Sequence, residues 1–257
     1  MAHEYWEQAR QEAADHPVSN TDAARLRERC ARTIACLGED GIRAHAVTYT
    51  AAAWQGSPGL PDSVPRTERI SRGNVMDIGE AVRAGTLCPT DLFAASFVWG
   101  WGPTGFGPQR YRDIRARAGE QLKPSLQRTL AQIDPIAGYA QLYGGCDYES
   151  RAAPGQEPWS RLHGFGPAFF TKFLYFSTPA ALILDNRLAN AVHSLSDLPY
   201  LVTAKGRSYA WTPYRYAVYL QWMRQTAHRL DVEPDILELT LFSLSPPKDQ
   251  SEDDAVD

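Results

Sequence analysis

The stretch Leu162–Ala191 reads L-H-G-F-G-P-A-F-F-T-K-F-L-Y-F-S-T-P-A-A-L-I-L-D-N-R-L-A-N-A. Gly164 and Gly166 predict a tight hairpin, because glycine adopts the positive φ values that such turns use. An apolar helix follows, interrupted by Lys172, and a second apolar run ends at Asp185, which opens another helix. A charged side chain in an apolar segment costs several kcal/mol unless it is paired or used. Two opposite charges beside a glycine hairpin therefore predict a functional site.

This arrangement resembles the helix-hairpin-helix DNA glycosylases, and among them the 8-oxoguanine DNA glycosylase group. In such a hairpin, backbone N–H groups and the start of the next helix face a DNA phosphate. Pro167 suits the first position of that helix, and His163 either touches phosphate or caps the turn. The resemblance implies double-stranded DNA as the partner. The predicted DNA-binding residues are His163, Gly164, Phe165, Gly166 and Arg187.

The aspartate at the end of the stretch carries a second part of the resemblance. D-N-R-L-A-N-A is similar to the glycosylase pattern in which apolar residues, here Leu188 and Ala191, follow an aspartate by three and six positions. A helix N-terminus stabilises the carboxylate of Asp185, which can then stabilise positive charge on a deoxyribose as the base leaves. The alternative is a plain helix N-cap.

The lysine departs from the family pattern. In bifunctional relatives the nucleophilic lysine lies two residues after the second glycine, where this chain has Ala168. Residues i and i+4 share a helix face and side chains lean toward the N-terminus, so Lys172 can deliver its amine near residue 168. A desolvated lysine is a usable nucleophile. The alternatives are a lysine that contacts base or phosphate in a water-using enzyme, and a structural ion pair.

A glycosylase must flip its target base into a pocket with flat or apolar walls. The predicted pocket residues are Trp211, Tyr214, Trp99, Trp101 and Ala168. Each of them can instead be an ordinary core residue. The segment Trp99–Pro108 is rich in glycine and proline, and we expect it not to form a regular helix.

The composition is that of a globular protein, with 44% hydrophobic and 22% charged residues in 257. The net charge is −4, but the last nine residues hold five acids, and residues 151–230 hold nine basic and three acidic residues. This local excess favours a phosphate-binding face over a merely solvated surface. Apolar runs are too short for a membrane span, and the polar N-terminus does not resemble a secretory signal. Cytoplasmic, nucleoid-associated residence and a monomer are expected.

No metal or cofactor is expected for the chemistry, although the hairpin carbonyls could hold a monovalent cation. The four cysteines are scattered and none follows Cys146, so neither a zinc site nor the iron–sulfur cluster of some related glycosylases is predicted.

Helical periodicity and caps predict a mainly α protein with a few short N-terminal strands. The resemblance implies that these helices form a two-lobed helix-hairpin-helix glycosylase fold. The expected divisions are a mostly helical lobe over 1–150, a catalytic lobe over 151–245 and a disordered acidic tail over 246–257. Gln55–Arg72 is predicted to be a loop, Ala46–Thr50 a short strand, and Asn74 the cap of a helix. The predicted helices are 5–15, 21–37, 74–82, 90–97, 124–130, 133–143, the helix after Pro167, the helix after Asp185, 213–230 and 233–242.

The resulting prediction is a DNA glycosylase that flips and excises a modified, 8-oxoguanine-like purine. Lys172 would form a Schiff base and permit strand cleavage, and Asp185 would stabilise the transition state. Two alternatives remain open. One is an anti-phage enzyme that excises a hypermodified base. The other is a non-catalytic binder of modified bases, which Ala168 favours slightly.

Overall fold

The structure, a computed structural model, describes residues 2–57, 60–103, 106–144, 161–203, 206 and 211–244. The fold is mainly α with two short strands, as the sequence predicted. The helices are α1 Ala2–Asp15, α2 Asn20–Leu37, α3 Ala51–Trp54, α4 Arg72–Arg83, α5 Pro89–Trp101, α6 Gly107–Ala118, α7 Leu122–Leu130, α8 Pro135–Tyr143, α9 Pro167–Ser177, α10 Asn186–Ser196, α11 Pro213–Leu230 and α12 Pro234–Leu244. Strands β1 Ala46–Thr48 and β2 Arg69–Ser71 pair antiparallel, with Val47 opposite Ile70.

Local capping chemistry explains where several helices begin. The Thr212 side chain accepts from the backbone N–H of Arg215, and Pro213 follows at the first helical position. At α4 the cap is Ser71, whose hydroxyl accepts from the Asn74 N–H, while the Asn74 side chain accepts from the Ser71 N–H. The prediction that Asn74 itself caps this helix was therefore wrong by three residues, because Asn74 occupies the far position of a capping box.

Contacts between helices divide the chain into two compact units. The middle unit is Leu37–Ile183, and the terminal unit combines Met1–Cys36 with Leu184–Asp257. These bounds differ from those of the predicted lobes. The predicted boundary at residue 150 and the tail at 246–257 lie outside the described residues, so that division stays a prediction.

Helix α5 forms the centre of the middle unit. Its residues from Leu92 to Trp99 are all buried, and it packs against α4, α6, α7 and α9. A helix that is apolar on every side must be surrounded, which explains this central position. In the terminal unit α11 has the corresponding role and packs against α1 and α12.

Three predictions about the middle unit are corrected. Helix α5 continues through Trp99, Gly100 and Trp101, where the glycines were expected to prevent a regular helix. Helix α6 begins at Gly107 with Pro108 in its first turn, a position that proline tolerates. Strand β2 lies inside the stretch predicted to be a loop, because its pairing with β1 is a non-local contact.

Within the described part of the chain, no helix combines the length and the apolarity that a membrane span requires. The same residues contain no group of three or more His, Cys, Asp or Glu side chains that could hold a metal ion.

Candidate functional site

The glycine hairpin has the predicted turn, with one difference between its two glycines. The Phe165 N–H donates to the Leu162 carbonyl at 3.1 Å, and Gly164 has φ +79°. Gly166 instead has φ −79° and caps α9 in an extended conformation, so only Gly164 uses the left-handed region. A Cβ atom at Gly166 would have no neighbour within 4 Å in the described structure. None of the described residues therefore fills the space that a side chain at this position would take.

Phe165 anchors the hairpin to the core of the middle unit. Its side chain is 2% exposed, and its ring meets the Phe93 ring edge-on at 5.1 Å between centroids. Neighbouring His163 is exposed. The Phe165 side chain therefore holds the turn against the core, while His163 on the same turn faces solvent. The assignment of these residues to DNA binding stays a prediction.

Lys172 lies one turn after Ala168 on α9 and is only 8% exposed. Its Nζ donates to the Ala168 carbonyl at 2.5 Å, so the side chain runs back toward the start of the helix. The amine therefore lies beside the residue that occupies the usual lysine position of the family. This geometry is what side-chain leaning on a helix predicts.

The path of the Lys172 side chain depends on a glycine of α5. A Cβ atom at Gly100 would lie 2.3 Å from Lys172 Cδ and 3.0 Å from Cε. Non-bonded carbon atoms approach no closer than about 3.5 Å without repulsion. Gly100 thus leaves the space through which the lysine passes. Gly100 was not among the predicted site residues, because its W-G-W-G context suggested a turn.

Aromatic rings lie beside the Lys172 amine. Nζ lies 5.5 Å from the centroid of the Phe169 ring. Phe169 stacks on Trp101 at 4.9 Å with 10° between the ring planes, and on Phe97 at 4.9 Å with 19°. Trp101 is half-buried and Phe169 is as well. The lysine therefore lies against an apolar aromatic stack of which part reaches the surface.

Trp99, the other tryptophan predicted for the pocket, points into a different cluster. It is 6% exposed and packs edge-on against His45 and Phe176. The buried guanidinium of Arg72 lies 5.1 Å from its ring and 4.8 Å from that of Tyr175. Trp101 is thus better exposed than Trp99 to contact a ligand.

His45 and Arg72 form a polar contact within this cluster. Burial, together with the adjacent Arg72 charge, lowers the pKa of His45 from 6.5 to about 4. The ring is therefore neutral near pH 7, and its Nδ1 can accept from Arg72 Nε at 3.3 Å. A neutral histidine suits a cluster that already holds one buried cation.

Asp185 caps α10 in the terminal unit, as predicted. Its carboxylate accepts from the backbone N–H groups of Arg187 at 3.0 Å and Leu188 at 3.1 Å. The guanidinium of Arg187 lies 3.9 Å from the Phe242 ring and donates to the Phe242 carbonyl at 2.8 Å. Arg187 thus binds the C-terminal helix α12, and its predicted contact with DNA stays a prediction.

The two remaining pocket candidates have structural partners in the terminal unit. Trp211 is 3% exposed and its Nε1 donates to the Leu201 carbonyl at 2.8 Å. The Tyr214 hydroxyl donates to Glu12 at 2.8 Å, and Glu12 also pairs with Arg215. These bonds tie α11 to α1 and to the segment before it. A pocket role for either residue stays a prediction.

The comparisons with known proteins give one match. The sequence model of a family described as "putative 8-oxoguanine DNA glycosylase OGG-like protein" matches residues 40–242, which is most of the chain. The match covers the hairpin, Lys172 and Asp185. No curated protein and no solved structure gives a significant match.

Proposed function

The chain belongs to this OGG-like DNA glycosylase family, and from that premise we propose that it excises an oxidised purine of the 8-oxoguanine type with Lys172 as the nucleophile. The observation that carries the proposal is the placement of the Lys172 amine, which is 2.5 Å from the Ala168 carbonyl and beside aromatic rings. The amine is thus held in a fixed position and largely shielded from water, as a nucleophile that must meet a flipped nucleotide requires.

The reaction starts with attack of the Nζ lone pair on C1′ of the damaged nucleotide. The C1′–N9 bond breaks, its electron pair leaves with the base, and the base takes up a proton. The nitrogen then loses a proton, and its lone pair forms a C1′=N bond as the C1′–O4′ bond breaks. The O4′ atom keeps the electron pair of that bond and takes up a proton, and the resulting iminium ion activates the 2′ hydrogen. Removal of that proton expels the 3′ phosphate by β-elimination.

In this proposal Asp185 stabilises positive charge on the sugar as the base departs. Its position as the N-cap of α10 fixes the carboxylate through two backbone N–H groups. A carboxylate held in this way needs little reorganisation when charge develops, which is the general basis of electrostatic catalysis. The aromatic stack of Trp101 and Phe169 supplies a flat apolar surface of the kind that a flipped base requires.

The experiment incubates the protein with an 8-oxoguanine duplex and measures base release, strand cleavage and borohydride trapping. We expect a covalent adduct that Lys172→Ala abolishes, whereas Lys123→Ala, which removes an exposed lysine of α7, leaves it unchanged. Asp185→Asn should slow base release by about a hundredfold or more if charge stabilisation contributes as in other enzymes.

Two outcomes would contradict the proposal in different ways. Alkali-labile sites without an adduct, lost in Asp185→Asn, would indicate a glycosylase that uses water. Tight binding of the damaged duplex with neither base release nor adduct would indicate a non-catalytic binder of modified DNA.

A further inference from the structure

Helix α6 presents two arginines beside the glycine hairpin of the middle unit. Arg110, Ile114 and Arg117 are spaced by four and three residues, so they share one face of the helix. Ile114 is 1% exposed, and its Cγ1 would lie 3.4 Å from a Cβ atom at Gly164. The isoleucine thus packs this helix face against the hairpin, and the two arginines flank it along the axis.

Arg110 is bound directly to the hairpin backbone. Its Nε donates to the Gly164 carbonyl at 3.2 Å, and a Cβ atom at Gly164 would lie 3.6 Å from its Cζ. The bond uses one N–H of the guanidinium, which has five. The remaining donors of this exposed side chain are held next to the turn that the family resemblance assigns to phosphate.

Neither arginine is neutralised within the described residues. Arg110 and Arg117 are exposed and form no ion pair there. The one acid of α6, Asp113, accepts from the Gln109 side chain. This face therefore carries two uncompensated positive charges on a protein whose net charge is −4. For an acidic protein that binds a polyanion, such local patches must supply the attraction.

We propose that Arg110 and Arg117 bind the phosphate backbone of duplex DNA and extend the contact made by the hairpin. A guanidinium matches the geometry of phosphate oxygens and remains charged at any physiological pH. The helix rise of about 1.5 Å per residue separates the two arginine positions by roughly 10 Å, so they contact different phosphates. The inference rests on the proposed function only in taking DNA as the ligand.

The experiment measures the affinity for a short undamaged duplex over a range of salt concentrations, with Arg110→Gln, Arg117→Gln and the double variant. The matched control is Arg112→Gln on the opposite side of α6, where the guanidinium binds Gln109 at 3.1 Å. The slope of log K against log salt is negative, and each lost phosphate contact should make it less negative by about 0.9, which is about eightfold in affinity at 0.1 M salt. The double variant should lose both contributions, and the control should keep the wild-type slope.

The outcomes separate this inference from the proposed function. If the double variant keeps the slope of the wild-type protein, the phosphate contacts are overturned, whether its affinity for the duplex is unchanged or weaker. The glycosylase proposal is intact in either case. If the double variant has a less negative slope and the wild-type protein shows no base release, the phosphate contacts are supported and the proposed catalysis is refuted. Failure of the wild-type protein to bind duplex DNA at all overturns both.

Discussion

Gly100→Ala is the substitution that most sharply tests the position of Lys172. The added methyl group would lie 2.3 Å from Lys172 Cδ, more than 1 Å closer than carbon atoms approach without repulsion. Because the obstacle is a flexible side chain and not backbone, we expect the lysine to move and α5 and α9 to stay packed. A displacement of this size at a reacting group costs about a hundredfold in rate.

The assay is the single-turnover rate of borohydride trapping on an 8-oxoguanine duplex, combined with urea unfolding. Gly100→Ala should slow trapping by about a hundredfold and destabilise the protein by about 1–3 kcal/mol. In a Lys172→Ala background the clash is absent, and the same substitution should be neutral or stabilising by up to about 1 kcal/mol, the helix-propensity gain of alanine over glycine.

Two results would refute this reasoning. Trapping within about twofold of wild type would show that the lysine does not need the space at Gly100. Equal destabilisation by Gly100→Ala in both backgrounds would show that the methyl group collides with something other than Lys172.

Three further predictions concern stability, measured by urea unfolding. Gly79→Ala places a methyl group 2.3 Å from the Phe176 carbonyl oxygen. Because this oxygen belongs to the backbone and cannot give way, α4 and α9 must separate, and the free energy of unfolding should fall by about 1–3 kcal/mol or more. An unchanged urea midpoint would contradict this. The pKa of His45 is lowered to about 4, so the unfolded chain binds more protons than the folded protein between pH 6.5 and 4. The full shift would lower the free energy of unfolding by about 2 kcal/mol from pH 7 to 5, and because solvent partly screens this half-buried ring we expect a fall of about 1 kcal/mol, which His45→Gln removes. Glu12→Gln breaks the partly buried ion pair of α1 with α11 and should cost about 1–3 kcal/mol, whereas Glu7→Gln, in a surface pair, should cost under about 1 kcal/mol.

Local sequence signals predicted the elements that carry the candidate site. Three helix starts depend on neighbouring backbone groups alone, and each begins a helix in the structure. They are Pro167 after a glycine, Asp185 before Asn186, and Thr212 before Pro213. The i, i+4 relation between Ala168 and Lys172 likewise follows from helix geometry. The observed bond between the two residues agrees with it.

Tertiary contacts decided what the sequence could not show. Gly100 has poor helix propensity, yet α5 continues through it to Trp101, and the absence of a side chain at Gly100 leaves room for Lys172. Helix α6 was not predicted, because its start lies in the segment Trp99–Pro108, whose glycines and prolines were expected to prevent a regular helix; proline is nevertheless accepted in a first turn. With hindsight the spacing of Arg110, Ile114 and Arg117 is a helical face pattern, and it would have indicated both the helix and its charged surface.

The association of the N-terminal helices with the C-terminal ones was also outside the reach of local patterns. Helix α1 packs along α11 through bonds such as Trp222 Nε1 to the His16 carbonyl at 2.9 Å. These partners are separated by about two hundred residues in sequence. No spacing rule links them, so the compact units could be identified only from the folded structure.

The most direct test of the central claim is to identify the residue that becomes attached to DNA. The borohydride-trapped complex with an 8-oxoguanine duplex is digested with protease and nuclease, and the modified peptide is sequenced by mass spectrometry. The account predicts a reduced sugar adduct on Lys172 Nζ. An adduct on another amine, or efficient base release with no adduct at all, would contradict it.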